Sequence, residues 1–286
     1  MKLDGRRTSD NVNDRRGKIP GGKASLGIGG LIITGLIVWL MGGNPLDVVT
    51  QQLSDGSMTT TQGDYTPSAE EEEAAAFSKK ILAGTEDVWT EIFKLNGKTY
   101  TPPEMVLFTQ ATQSGCGKAT ASTGPFYCPV DQKLYIDLSF FNEMKNHLNA
   151  GGDFAYAYVI AHEVGHHVQY LLGTLDKVQQ QQQRMSQKES NQLNIRLELQ
   201  ADFYAGVWAH YDNKIFNSIE DGDIEEGLNA ASQIGDDRLQ MNAQGYTVPD
   251  SFNHGTSAQR SRWLKKGLQT GNLADGDTFS VPYSQL

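Results

Sequence analysis

The chain has 286 residues, of which 38% are hydrophobic and 20% charged, and a net charge of −10. That acidic balance argues against nucleic acid or an anionic lipid surface as the partner. Two cysteines cannot by themselves build a four-ligand zinc site,.

Residues 1–23 hold seven Lys/Arg against three Asp, and no residue from Ala24 to Leu46 is charged. An apolar run of about 20 residues is enough to span a bilayer as a helix, and positive flanks stay in the cytoplasm. The expectation is a basic cytoplasmic tail (1–23), a transmembrane helix (24–46) and everything beyond it on the outer side, periplasmic or extracellular, of a bacterial cell membrane. A cleaved signal peptide is the alternative, but the polar stretch before the apolar run is long and no small-x-small site follows it. The rest of the chain has 17 basic and 31 acidic residues, a net of −14. Residues 47–67 are Thr/Ser/Gly-rich without an apolar period and read as a flexible linker.

A single domain fits residues 68–286. Ser68 as cap, with glutamates in the first turns, starts a helix that carries Phe77, Ile81, Leu82, Val88, Trp89 and Ile92 and ends by Asn96-Gly97, with Gly84 as a kink point. Met105–Phe108 and Lys133–Leu138 read as short strands of a small antiparallel sheet packed on a later helix. An exposed edge of that sheet suits pairing with an extended peptide, though the pattern does not say which strand is the edge. Cys116 and Cys128 lie between these strands, on the expected outer side, where a disulfide is the natural pairing. Closing so short a loop stabilises by about 3 kcal/mol in the chain-entropy model.

The most informative segment follows. His162-Glu163-Val164-Gly165-His166 is an HExxH motif inside a helical run, Phe154 to Leu172, that is apolar on nearly every face,. Histidines four apart share a helix face, so both rings can reach one zinc ion. Glu163 is turned about 100° away, which suits a general base better than a ligand. Buried histidines need partners, and a metal supplies one to each ring while holding it neutral. His167 points elsewhere and reads as supporting or structural. Gln169 and Leu172 stand where the metzincin pattern requires Gly and His, so that class is excluded.

A catalytic zinc takes a third protein ligand. The next helix, roughly Glu189 to Tyr211, places Glu198, Asp202 and Gly206 on one face among apolar neighbours. Two carboxylates one turn apart in that setting raise each other's pKa unless a cation neutralises them. Glu198 is the candidate ligand and Asp202 the candidate acceptor for a ligating histidine's ring N–H, with Asp202 as ligand the rival assignment. Gly206 would let the two metal helices approach closely. Gln179 to Gln183 form a polar connection with no assigned function. Ile224 to Leu239 reads as one helix, with Asp236 and Asp237 solvated. Thr256 or Ser257, with Gln259 behind, suits an N-cap before a helix carrying Trp263 and Leu264.

The Glu198-Leu199-Gln200-Ala201-Asp202 segment resembles the ExxxD helix of gluzincins. The wider set resembles the bacterial YpfJ-like family of neutral zinc metallopeptidases: Ser114-Gly115-Cys116-Gly117, Gly124 to Pro129, Tyr135 to Leu138, Ala161 to His167, Ile234 to Arg238 and Phe252 to Arg260. The resemblance covers about 65–286 and implies a zincin-like, helix-rich α+β fold. It also implies that His254 donates to the oxyanion, with Arg260 orienting it or holding a substrate carboxylate. The resulting expectation is a membrane-anchored, Zn2+-dependent peptidase acting on a peptide or protein, with His162, His166 and Glu198 as ligands and Glu163 and His254 as catalytic groups. A non-enzymatic zinc-bound membrane scaffold, or a zinc amide hydrolase acting on a cell-wall crosslink, are the alternatives.

Overall fold

Ser68 caps the first long helix, α1 (Ala69–Leu95), accepting the Glu71 N–H at 3.2 Å while Glu71 accepts the Ser68 N–H at 3.0 Å. This reciprocal bonding satisfies two orphan donors of the first turn. The computed structural model describes residues 1–18 and 65–286. The expected transmembrane segment 24–46, and the linker up to residue 64, lie outside these. No helix among the described residues is long and apolar enough to cross a membrane.

The sheet is mixed, not the antiparallel one expected. Strands β1 (Val12–Asp14), β2 (Glu104–Phe108), β5 (Phe126–Cys128) and β6 (Lys133–Asp137) lie in the order β1-β2-β6-β5. The β1–β2 and β2–β6 pairs are parallel and only β5–β6 is antiparallel. The chain between β2 and β6 goes out through a separate hairpin, β3 (Ala111–Ser114) with β4 (Gly117–Thr120), before β5 turns back into β6. Alternation sorts the two faces. Met105, Leu107, Leu134 and Ile136 enter the helical core, while Val106, Phe108 and Tyr135 meet Ala119 and Cys128 under the hairpin. The Cys116–Cys128 disulfide forms and ties that hairpin to β5.

Seven further α-helices follow among the described residues: α2 (Ser139–Asn146), α3 (Asp153–Leu171), α4 (Thr174–Gln182), α5 (Gln187–Phe216), α6 (Asp223–Gln233), α7 (Asp236–Gln244) and α8 (Ser257–Thr270). The HExxH helix, α3, has a buried Gly165 at which a Cβ would lie 2.9 Å from the Ala201 carbonyl of α5. That glycine, not Gly206, permits the metal helices to approach. Gly206 instead faces α8, where a Cβ would meet the Leu264 carbonyl at 2.2 Å. The run read as one helix breaks at Gly235, which is extended (ψ 142°) and packs against the Ser257 backbone. Thr256 is the cap of α8, paired with Gln259.

Residues 1–18, expected as part of a tail separate from the domain, pack on it. β1 extends the sheet, and Arg6 pairs with buried Asp212 at 2.7 Å and lies over the Phe216 ring. Arg7 meets Glu86 and Asp87, and the Met1 ammonium sits among Asp153, Glu220 and Asp223. Gly17 lies against the Tyr65 ring, so both borders of the undescribed segment touch. Arg6 stands beside Gly84, through which α1 passes without a break.

Candidate metal centre

Three side chains from two helices converge. The ligand atoms of His162 and His166 on α3 and Glu198 on α5 all lie within 4.8 Å of one another. His162 Nε2 is 3.2 Å from Glu198 Oε2, and His166 Nε2 is 3.5 Å from Glu198 Oε1. Each ring's other nitrogen is engaged behind it. His162 Nδ1 lies 2.8 Å from Asp202 Oδ1, and His166 Nδ1 lies 2.9 Å from Gln169 Oε1. A carboxylate only accepts, so His162 Nδ1 carries a proton toward Asp202; Nε2 carries one toward Glu198 in the metal-free protein and would give up that proton to bind a cation,.

Asp202 therefore supports His162 and is not one of the converging donors. It accepts from Tyr158 Oη at 2.6 Å and from Arg260 Nε at 2.9 Å and an Nη at 3.0 Å. Burial works to raise its pKa, but Arg260 and His162 outweigh that and bring it down to about 2. Arg260 also donates to Tyr158. Its guanidinium thus braces Asp202, and Arg260 also lines the cleft.

Burial acts to lower the His162 pKa, but Asp202 and Glu198 raise it to about 10. His166 is raised as well: burial opposes its charge and Glu198 favours it. Glu198 is held well below the usual carboxylate range, its desolvation outweighed by both rings. Two imidazoles and a carboxylate crowded together in a dry site and demanding positive charge fit a divalent cation. Nitrogen and oxygen donors of this kind suit zinc.

Glu163, one residue after His162, is buried and lines the same cleft without joining the donor cluster. Its pKa is raised, chiefly by desolvation. The Tyr127 backbone hydrogen-bonds it from β5. β1 and β5 both end the sheet order, and of these two edge strands β5 is the one that borders the cleft. The cleft runs between Thr123–Pro129 on one side and Leu175, Val178, Gln179 and Gln182 of α4 on the other. The glutamine run thus contributes two side chains to the cleft wall, which composition gave no reason to expect.

His254 lines the cleft too and is close enough for its charge to act on Glu198. Its Nδ1 is 3.3 Å from Asp236 Oδ1. Asp236, read from sequence as solvated, is fully buried and accepts the backbone N–H groups of Asn253, His254 and Gly255 at 2.7 to 2.9 Å. Asp237 accepts from the Ser257 N–H at 2.7 Å. His167 points away from the cleft, accepting from Tyr127 Oη at 3.0 Å and donating to the Thr101 carbonyl at 2.7 Å. Burial lowers its pKa to about 4.

A helix bearing both histidines, a crossing helix bearing the carboxylate, and a buried glutamate left outside the donor set form a candidate metal centre of the HExxH class. The chain matches the model of the family described as "Putative neutral zinc metallopeptidase" over residues 1–279, and it belongs to that family. It is 49% identical over 286 residues to "Uncharacterized protein YpfJ" of Escherichia coli K12, covering 98% of this chain and 99% of that protein. It is 38% identical over 253 residues, 85% of each chain, to "Uncharacterized protein Mb2605" of Mycobacterium bovis and "Uncharacterized protein Rv2575" of Mycobacterium tuberculosis. No solved structure matches it.

Proposed function

We propose that this protein is a zinc-dependent peptidase that hydrolyses a peptide bond with Glu163 as general base. The observation that carries this reading is the division of labour on α3. His162 and His166 aim their Nε2 atoms at Glu198, while Glu163 faces the cleft with a raised pKa and no place in the donor cluster. Zinc held by His162, His166 and Glu198 would lower the pKa of a bound water to about 7 and polarise the scissile carbonyl.

The chain's own groups do the rest. Glu163 takes the proton of the attacking water and delivers it to the leaving amine. Desolvation favours the protonated carboxyl, so the group is suited to holding a proton between those two events. His254 donates to the oxyanion developing on the substrate carbonyl. Asp236 accepts from Nδ1, so the other ring nitrogen can donate only when His254 is doubly protonated,. An extended substrate would lie along the free side of β5, main chain to main chain, with its side chains reaching the α4 wall. A structural zinc site usually closes with a fourth protein ligand and needs no base; among the described residues the cluster has three donors.

Digestion of a peptide library by the full chain tests this. Cleavage is expected to stop with chelator and return with zinc, and Glu163→Gln is expected to keep its zinc while losing at least about 100-fold in rate. Undiminished cleavage by zinc-loaded Glu163→Gln would remove Glu163 from the reaction.

A further inference from the structure

His162 leans on a carboxylate, but His166 leans on a carboxamide, and an amide could in principle present either end to the ring. Its other contacts decide. Gln169 is fully buried, and its Nε2 lies 2.7 Å from the Leu197 carbonyl and 3.1 Å from Gln200 Oε1. Gln200 Nε2 in turn lies 3.0 Å from the Gly276 carbonyl. Backbone carbonyls only accept, so Leu197 and Gly276 fix both amide groups with their NH2 ends outward. Gln169 Oε1 is then left for His166, which must carry its proton on Nδ1.

We propose that Gln169 is a positioning residue of the metal centre, locking the His166 tautomer and coupling its ring to the backbone that carries Glu198. The coupling is direct, because Leu197 immediately precedes Glu198 on α5 and Gln169 stands one turn after His166 on α3. A single side chain thus sets the direction of one donor and ties its helix to that of another. Losing such a partner typically costs about 10- to 100-fold in metal affinity. This inference rests on the metal-centre reading but not on peptidase activity.

Metal binding by the full chain provides the test. Metal-free wild-type protein is titrated with Zn2+ against a chromogenic chelator at pH 7, and with Co2+ while the visible spectrum is recorded. Gln169→Ala is expected to weaken zinc about 10- to 100-fold and to alter the cobalt bands at saturation, since the His166 ring is no longer held in one orientation. Gln169→Glu keeps an oxygen for Nδ1–H in either protonation state but loses the amide donors. It is expected to melt earlier yet retain the wild-type cobalt spectrum. Gln200→Ala, which loosens the far end of the chain of amides, is expected to lower the melting temperature with less than threefold change in zinc affinity. If Gln169→Ala binds zinc within twofold of wild type and keeps its cobalt spectrum, the positioning role is wrong. If Gln169→Ala does not fold, a changed cobalt spectrum in Gln169→Glu overturns the proposal by itself. Failure of the wild-type chain to take up either metal overturns the metal-centre reading, and this inference with it.

Discussion

Protons and a cation compete for the same two ring nitrogens. In the metal-free protein the His162 pKa stands at about 10, above its ordinary 6.5, since Asp202 and Glu198 outweigh burial. The ion pairing therefore stabilises in full below pH 6.5 and is lost as pH rises through 10. A metal needs the lone pair, so binding near neutral pH must expel the proton and affinity must fall as pH falls. Zinc titration calorimetry in buffers of different ionisation enthalpy is expected to show release of at least one proton per ion; no buffer dependence would mean that the rings are already neutral. His167 has the opposite sign. Burial holds it near 4, so its contribution is complete above pH 6.5 and drains away between 6.5 and 4, by about 3 kcal/mol,. Replacing it with Gln should flatten that part of the stability curve, measured by chemical denaturation at pH 7.5 and 4.5. An unchanged difference between the two pH values would show that other groups dominate. Local spacing made His162, His166 and Glu198 legible, because helical periodicity places them. The partnership of Arg260 with Asp202 spans 58 positions and leaves no periodic trace. Gln169 did leave one, as an amide three residues after a candidate ligand in an apolar run.

At the scale of elements, the centre depends on how closely α3 and α5 cross. Gly165→Ala would put a methyl 2.9 Å from the Ala201 carbonyl. Overpacking of that kind costs about 1–3 kcal/mol and here would push two ligand-bearing helices apart. Thermal melting and zinc affinity should therefore fall together; a fall in melting temperature alone would uncouple the crossing from the centre. Sequence pointed to Gly206 instead, since a small residue on a long helix marks an approach without saying to what. α5 is flanked by α3 and α8, and only the tertiary arrangement assigns each glycine its neighbour. The helix ends were more legible: Ser68 and Thr256 each cap as their local sequence implies. The break at Gly235 was not, because the Ser257 backbone that requires it arrives from farther along the chain.

At the scale of the whole molecule, the contacts of residues 1–18 favour one compartment over the expected single crossing. A bilayer core is about 30 Å thick, so a chain crossing it once between residues 18 and 65 would hold its two ends apart. Yet Arg6 meets Asp212 at 2.7 Å and Val12 pairs with Met105. We predict that residues 1–18 and 65–286 share one compartment, whatever course the segment between them takes. Among the described residues no cysteine is free, so Thr8→Cys and Gln183→Cys, both at exposed positions, serve as reporters. Treatment of spheroplasts with a membrane-impermeant maleimide should label both or neither; labelling of one alone would place a membrane between them. Charge counting suggested a free tail, because a row of arginines looks the same whether water or Asp87, Glu86 and Asp212 receives it.

Strand β1 has a consequence for how this protein can be handled. It covers the flank of β2, whose Met105, Val106, Leu107 and Phe108 are fully buried. A chain begun at residue 65, the cut that the apolar run invites, would leave that row of amides and carbonyls bare beside an oily surface. Uncovered β edges recruit other molecules as readily as their own missing strand. The shortened form would then be prone to self-association.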